Sequence, residues 1–412
     1  MKSRRDFLQC VAASAASAAA GAAPVKIRSI TLAPLECRFH KFVAMNSYDV
    51  APKGHTYRNT LIRIATDQGV EGIGVMSSAP DDAYRQALKT LVGANPLSMY
   101  EMKDGRITGR APAYADVLSR YRHLDGPLFD LIGKLTSKPA WQLIGPSVRD
   151  RVEVYDGTIY FSDVWFSERG VRAVVEEAEE AMKKGYLGVK LKMGRGWKWM
   201  EREAGLRRDI EVTLAVRGAV GPKVKVLVDA NNGYRDDHER LWRYISETAS
   251  ANPYWIEEMI PENVAHYTAL REKMQKAGFK ALIAEGENTE DLKELEPYLK
   301  PKRLYDVVQV DIRRAGLVDN IEAARMADTA GAISVPHNWG SYVGTRMGLQ
   351  FSKAVRNAPA AEDDRGTSDV AIPEGYEFRG GYYTVSDAPG LGLRINEKAY
   401  ALKCKPGELV IS

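Results

Sequence analysis

The chain has 412 residues, of which 45% are apolar and 27% charged, with a formal net charge of +4. That size and balance fit a multi-domain globular protein and exclude a disordered, collagenous or coiled-coil chain. Lys2, Arg4 and Arg5, less Asp6, supply +2 of the charge, and the remainder is scattered, which argues against a nucleic-acid binder. No apolar run reaches the ~18–20 residues of a membrane helix. Cys10, Cys37 and Cys404 lie too far apart in sequence to suggest a disulfide framework or a zinc site.

Ser3-Arg4-Arg5-Asp6-Phe7-Leu8, followed by the alanine-rich segment 11–23, resembles a twin-arginine export signal. Those 13 residues are too short to span a bilayer. Ala20-Gly21-Ala22 offers small residues for signal peptidase. Gln9 before Cys10 argues against a lipoprotein. The expectation is a signal peptide over 1–23 and export, already folded, to the periplasm. That route commonly carries proteins that load a cofactor first, a hint of a bound metal or cofactor.

From residue 152 onward, short β-branched runs alternate with helical patterns. Val152-Glu153-Val154-Tyr155 reads as a strand. Residues 170–184 read as a helix, with Val171, Val174, Val175, Ala178 and Met182 on one stripe. Further strands follow at 188–192, 224–229, 254–257, 281–284, 306–310 and 332–335, with helical stretches such as 317–329 between them. A strand–helix repeat sustained seven times predicts a parallel (β/α) barrel. An open doubly wound sheet is the alternative, but no glycine-rich nucleotide fingerprint follows the first strand.

Polar groups stand where these strands end. Lys190 and Lys192 close the second, Asp229 the third and Glu257 the fourth; Glu287, Asp311 and His337 follow the fifth, sixth and seventh. From Lys192 to His337 the successive spacings are 37, 28, 30, 24 and 26 residues, each about one β/α unit. Strand C-termini converge on the barrel mouth, so these groups should ring one cavity. Three neighbouring carboxylates would repel one another in a partly dry cavity, and a hard divalent cation such as Mg²⁺ relieves that. Lys192 and His337 lie on opposite sides of the cluster and could move protons at opposite faces of a substrate. Asp311 could orient the imidazole. Lys190 and Lys192 alternate on a strand and both point inward, and the first ammonium is expected to lower the pKa of the second. Each feature alone is ordinary. A Lys-x-Lys edge is commonly solvated, Asp229 could be a turn residue, Glu257-Glu258 a surface pair and His337 a satisfied loop histidine. The joint spacing carries the argument.

The ordered set Lys190-x-Lys192, Asp229-Ala-Asn231, Trp255-Ile-Glu257-Glu258, Gly286-Glu287-Asn288, Gln309-Val-Asp311 and Pro336-His337-Asn338 resembles the enolase superfamily, and within it the mandelate racemase subgroup. The resemblance covers nearly the whole chain after the leader. Residues 60–74 look like the first strands of that family's capping domain. Residues 127–134 and 138–145 look like its helix before the barrel, and 387–392 like its tail. It implies a (β/α)7β TIM-type barrel with an α+β N-terminal cap completed by the C-terminal tail. The boundaries would be 24–148 for the cap, 149–375 for the barrel and 376–412 for the returning segment. It implies Asp229, Glu257 and Glu287 as ligands of one Mg²⁺ per site. Lys192 and the His337–Asp311 dyad would be the bases. Lys190 would lie beside the substrate carboxylate and Asn231 near the metal. A protonated Glu362 would hydrogen-bond that carboxylate. Met259 and Arg314-Ala315-Gly316 depart from the family pattern, and Glu285 competes with Glu287 as a ligand.

The implied chemistry is removal of a proton α to a carboxylate through a stabilised enediolate. Dehydration of an acid sugar to a 2-keto-3-deoxy acid is the first expectation, with His337 as the acid for the leaving hydroxyl. Racemisation or epimerisation of a 2-hydroxy acid is the alternative. A non-catalytic acid-binding barrel is a third, though a binder needs no paired bases. The partner is a small carboxylic acid, with no nucleic acid and no membrane span, and the family often forms homo-oligomers. Segment 39–58, with His40, Tyr48, Lys53, His55, Tyr57 and Arg58, is the expected specificity loop of the cap.

Overall fold

The computed structural model describes residues 24–412, so the export-signal reading of residues 1–23 lies outside the described residues. The chain opens with an antiparallel sheet of β1 (Ile27–Val43), β2 (Gly54–Thr66) and β3 (Glu71–Met76). Along β1 buried and exposed residues largely alternate, as in a sheet with one face on a core. Residues 60–74 therefore form the second and third strands of the cap, not the first. A hairpin, β4 (Tyr100–Lys103) and β5 (Arg106–Arg110), and the buried helix Asp125–Leu135 follow.

Eight parallel strands then form the barrel: β6 (Arg151–Ile159), β7 (Gly188–Lys192), β8 (Lys225–Asp229), β9 (Trp255–Glu257), β10 (Leu282–Glu285), β11 (Val307–Val308), β12 (Ile333–Ser334) and β13 (Ala360–Asp363). They pair in sequence order from β6 to β12, and β13 pairs back onto β6. Between β12 and β13 the ring is joined by a hydrogen bond from Ser334 N to Asn357 O, 2.8 Å. The helix expected over 170–184 is present as Val171–Lys184.

Strand alternation builds two layers. Outward-facing Val189, Leu191, Val226, Val228, Ile256 and Ile283 pack beneath the surrounding helices. Inward-facing Tyr155, Leu227, Trp255, Ala284, Val307 and Val335 fill the barrel floor. Leu227 and Trp255 lie two residues before Asp229 and Glu257, so the same period that plugs the floor lifts the carboxylates above it. The floor supports them directly, since Trp255 Nε1 donates to Glu257 Oε2 at 2.9 Å.

The tail differs from the expected simple return to the cap. β14 (Ala371–Pro373) pairs with β17 (Leu393–Ile395). Between them, the hairpin β15 (Glu377–Arg379) and β16 (Tyr382–Thr384) joins the barrel sheet, where β16 runs antiparallel to the start of β6. The chain touches the cap before these strands, where Thr367 exchanges backbone hydrogen bonds with Arg38 of β1, and again after the hairpin. Leu391 N donates to the buried Asp130 Oδ1 (2.7 Å), and β18 (Leu409–Ile411) adds an edge strand to β1. Ile312, Leu317, Val343 and Phe351 of the barrel share one apolar cluster with Leu61, Ile62, Leu128 and Leu131 of the cap. Cys37 and Cys404 are both free and buried. Among the described residues no helix is long and apolar enough to cross a membrane.

Candidate active site

Strand register brings the expected groups together. Lys192 pairs with Asp229 across β7 and β8, and Asp229 with Glu257 across β8 and β9. Glu287 lies two residues past β10. Gly286, at φ +106°, reverses the chain between Glu285 and Glu287, a backbone conformation that L side chains rarely adopt. The reversal sends the two glutamates in different directions. Glu285 turns outward to accept from the Tyr267 hydroxyl, whereas Glu287 turns inward. Carboxylate oxygens of Asp229, Glu257 and Glu287 lie within 4.8 Å of one another. Glu287 Oε2 is buried and makes no hydrogen bond.

Electrostatics at the mouth are lopsided. Asp229, Glu257, Glu258, Glu287, Asp311 and Glu362 are all buried, against the cations Lys190, Lys192 and Arg313. Burial pushes Glu257 up to about 8, and the Lys190 ammonium only partly offsets this. Burial and the Glu258 charge raise Glu287 well above the usual carboxylate range. Burial also opposes ionisation of Asp229, but Lys192 and Lys190 outweigh it and hold the group at about 2. Crowded, desolvated oxygens with one unsatisfied atom suit a hard divalent cation.

The lysines behave differently from the sequence expectation. Burial lowers Lys192, but its ion pair with Asp229 outweighs that and raises it well above its ordinary value. The depressing effect of Lys190 is therefore the smaller influence. Lys190 Nζ lies 2.8 Å from Glu257 Oε1, 2.7 Å from Glu362 Oε1 and 3.6 Å from Asp229 Oδ2. Glu362 is lowered: burial raises it, but Lys190 and His337 prevail. In this arrangement Glu362 faces the Lys190 ammonium, which favours its charged form, whereas the resemblance implies a protonated acid there. The Glu257-Glu258 pair, which as a dipeptide reads like surface, is buried.

Across the ring, His337 Nδ1 lies 2.8 Å from Asp311 Oδ2. Its Nε2 is 3.2 Å from Glu287 Oε2 and 4.0 Å from Glu362 Oε2. Arg313 Nη2 donates to the same Asp311 oxygen at 2.6 Å, a partner that sequence reasoning missed. Burial opposes ionisation of Asp311, but Arg313 and His337 hold it far below the usual range.

The cap loop is shorter than expected. β1 and β2 occupy 39–43 and 54–58, leaving 44–53 as the connection. Of the six polar residues expected there, Tyr48 is the one whose charge environment includes Glu287 and Lys192. His40 instead faces Asp156 and Glu180, Arg58 pairs with Glu36, Tyr57 packs at a tilt against Phe39, His55 meets Phe42, and Lys53 binds Asp49. The loop docks through residues not anticipated. Ser47 Oγ donates to the carbonyls of Ala230 (2.8 Å) and Asn231 (2.9 Å), and Asn46 Nδ2 donates to Asn231 Oδ1 (3.0 Å). Asn231 Nδ2 donates to Glu258 Oε2 at 2.9 Å, so this amide links the loop to the carboxylate cluster. Tyr160, its ring centroid 5.2 Å from Lys192 Nζ, stacks on Trp339 two residues past His337. That aromatic wall joins the two basic sides of the mouth.

A parallel barrel with carboxylates on successive strand ends, flanked by a lysine and a His–Asp dyad, defines an acid–base enzyme working on carbon acids. The chain belongs to the Enolase C-terminal domain-like family, which matches residues 173–399, more than half its length. Similar proteins include D-xylonate dehydratase of Haloferax volcanii, 28% identical over 84% of this chain and 86% of that protein. Arabinonate dehydratase of Saccharolobus solfataricus is also 28% identical, over 68% of this chain and 71% of its own. Galacturonate dehydratase from Geobacillus sp., solved with D-galacturonate and 5-keto-4-deoxy-D-galacturonate, superposes with a TM-score of 0.82 at 26% identity, covering 95% of this chain and 100% of that one. The chain is therefore an enolase-superfamily enzyme, a lyase or isomerase, which displaces the non-catalytic alternative.

Proposed function

We propose that this enzyme dehydrates an acid sugar to a 2-keto-3-deoxy acid. The observation that carries the reading is the placement of Lys192 and the His337–Asp311 dyad on opposite sides of one carboxylate-lined mouth. Dehydratases among its relatives support the choice of reaction.

Asp229, Glu257 and Glu287 would hold one Mg²⁺, whose positive charge, when bound, stabilises charge developing on the substrate carboxylate. Lys190 provides an ammonium beside that carboxylate. Lys192 is held protonated by Asp229, so it can act as a base only after that ion pair opens and the ammonium gives up a proton to solvent. Asp311, pinned by Arg313, fixes the imidazole so that Nε2 faces the cavity. In the dehydration, one of the two bases takes the α-proton as the enediolate forms. His337 protonates the departing β-hydroxyl, which leaves as water, and the resulting enol becomes the 2-keto acid. Two bases in one site also fit epimerisation, in which the second returns a proton to the opposite face.

The test is a screen of purified protein with Mg²⁺ against aldonic and aldaric acids in D₂O, reading 2-keto acid by semicarbazide and α-deuterium by NMR. Keto acid from one or a few sugars is expected. Deuterium exchange without keto acid would move the assignment to an epimerase, and neither signal would sink the acid-sugar reading. A homo-oligomer is part of the proposal and would show in sedimentation.

Periplasmic location is also proposed, from Arg4-Arg5 and the apolar segment after it. Replacing both arginines by lysine should leave the protein in the cytoplasm. Unchanged periplasmic recovery of that variant would rule the route out.

A further inference from the structure

Three residues beyond Lys192 lies a charge that the proposed chemistry does not use. Arg195 is fully buried, and all three of its nitrogens are engaged. Nε lies 3.1 and 3.0 Å from the two Asp163 oxygens, and Nη2 is 2.7 Å from Asp163 Oδ1. Nη1 donates to Asp209 Oδ1 at 2.7 Å and to the Lys192 carbonyl at 3.1 Å. The Phe161 ring centroid sits 4.4 Å from the guanidinium carbon. Asp163 comes from the short helix after β6 and Asp209 from the long helix Arg202–Val220 after β7. The second Asp209 oxygen accepts from Gly194 N and from the Tyr234 hydroxyl, each at 2.8 Å.

Asp163 Oδ2 also accepts from Arg208 Nη1 at 3.1 Å, and such a cluster is a poor device for stability alone. Desolvating an arginine and two aspartates costs several kcal/mol per ion, and well-packed apolar residues often hold a fold as well or better. What a fully paired guanidinium supplies is fixed direction, because its planar fork binds only in set orientations. Here the fork points at the last carbonyl of β7. The final ladder pair between β6 and β7 is Ile159–Leu191, so the Lys192 carbonyl lies past it. On the other side Met193 N donates to Asp229 O at 2.7 Å. The peptide that carries Lys192 is thus held by β8 on one side and by Arg195 on the other. Gly194 then passes so close to the β8 exit that a Cβ would stand 2.8 Å from Gly233 Cα.

We propose that Arg195, clamped by Asp163 and Asp209, is a positioning residue that sets the location of the Lys192 ammonium. The inference rests on the reading of Lys192 as an acid–base group, and deepens it by naming what aims that group.

The test compares Arg195→Lys, which keeps the charge and loses the fork, with Tyr234→Phe, which removes one hydrogen bond from Asp209. Arg195→Lys should lower kcat by about 10²-fold, the effect of a misplacement near 1 Å, with KM changed less than roughly threefold. Tyr234→Phe should fall between it and wild type. The probes are C2-epimeric aldonates, D-gluconate with D-mannonate and D-xylonate with D-lyxonate, each in D₂O with Mg²⁺. Exchange of the α-hydrogen facing Lys192 should drop in Arg195→Lys, while exchange at the face served by His337 persists. Equal loss at both faces would mean general loosening and would overturn the proposal. A crystal structure of Arg195→Lys decides the matter without any substrate. Lys192 Nζ drawn away from Asp229, with Lys190 still on Glu362, supports the proposal, and Lys192 unmoved overturns it. Failure of wild type on every epimer would count against the acid-sugar reading and leave the crystallographic outcome to judge Arg195.

Discussion

Lys192→Ala should lower turnover by about 10³-fold, within the 10²–10⁴ range for a positioned proton-transfer group, while the protein still folds and binds acids. His337→Asn should fall by a similar factor. The two variants separate on isotope exchange. If Lys192 abstracts the α-proton and His337 serves the leaving hydroxyl, His337→Asn still exchanges α-hydrogen with D₂O and Lys192→Ala does not. If His337 is the base, the pattern inverts. Geometry bears on the contest, because Lys192 is charged in its pair with Asp229 whereas His337 Nε2 faces the cavity. Turnover at the wild-type level in both variants would remove both residues from the mechanism.

Much of this site was legible because the barrel converts sequence into position. One functional group per β/α unit, at the spacing of the fold, needs no tertiary information to place Lys192, Asp229, Glu257, Asp311 and His337 around one mouth. The strand alternation that puts Leu227 and Trp255 into the floor can likewise be read from the period. What sequence could not show depends on contacts between segments far apart in the chain. The pairing of Lys190 with Glu362, which favours the charged carboxylate, joins strands 172 residues apart. The docking of Ser47 and Asn46 on the β8 exit, 183 to 185 residues away, has no local signature. Lys53, His55 and Arg58 drew notice by being polar, yet side-chain direction took them elsewhere. Arg195 lay in plain view after the Lys-x-Lys motif, but nothing local to Arg195 indicates that it is buried between two aspartates. The Gly286-Glu287 order already favours Glu287 over Glu285 through the resemblance, and the backbone reversal at Gly286 supplies a physical reason for that choice.

That choice supports the second large effect. Asp229, Glu257 and Glu287 share a desolvated space, and Glu287 is held far above the ordinary carboxylate range by burial and by the charge of Glu258. A group in that state opposes folding when it must ionise, so Glu287→Gln should raise the melting temperature measured in EDTA. Mg²⁺ should act in the opposite sense. For wild type, Mg²⁺ at a hundred times its Kd should add about 2.7 kcal/mol of stability. Losing one of three carboxylate ligands should weaken the ion by at least about 10²-fold, taking Glu287 as no less important than the groups that merely orient ligands. At the same Mg²⁺ concentration the gain then falls to about 0.4 kcal/mol or less. Glu285→Gln is the control, since Glu285 faces Tyr267 and should leave the Mg²⁺ response intact. Melting curves with EDTA and with Mg²⁺, beside calorimetric titration, read both quantities. A Mg²⁺ response lost in Glu285→Gln and kept in Glu287→Gln would transfer the ligand role to Glu285. A response kept in both would place the ion elsewhere, and with it the stabilisation on which removal of the α-proton depends.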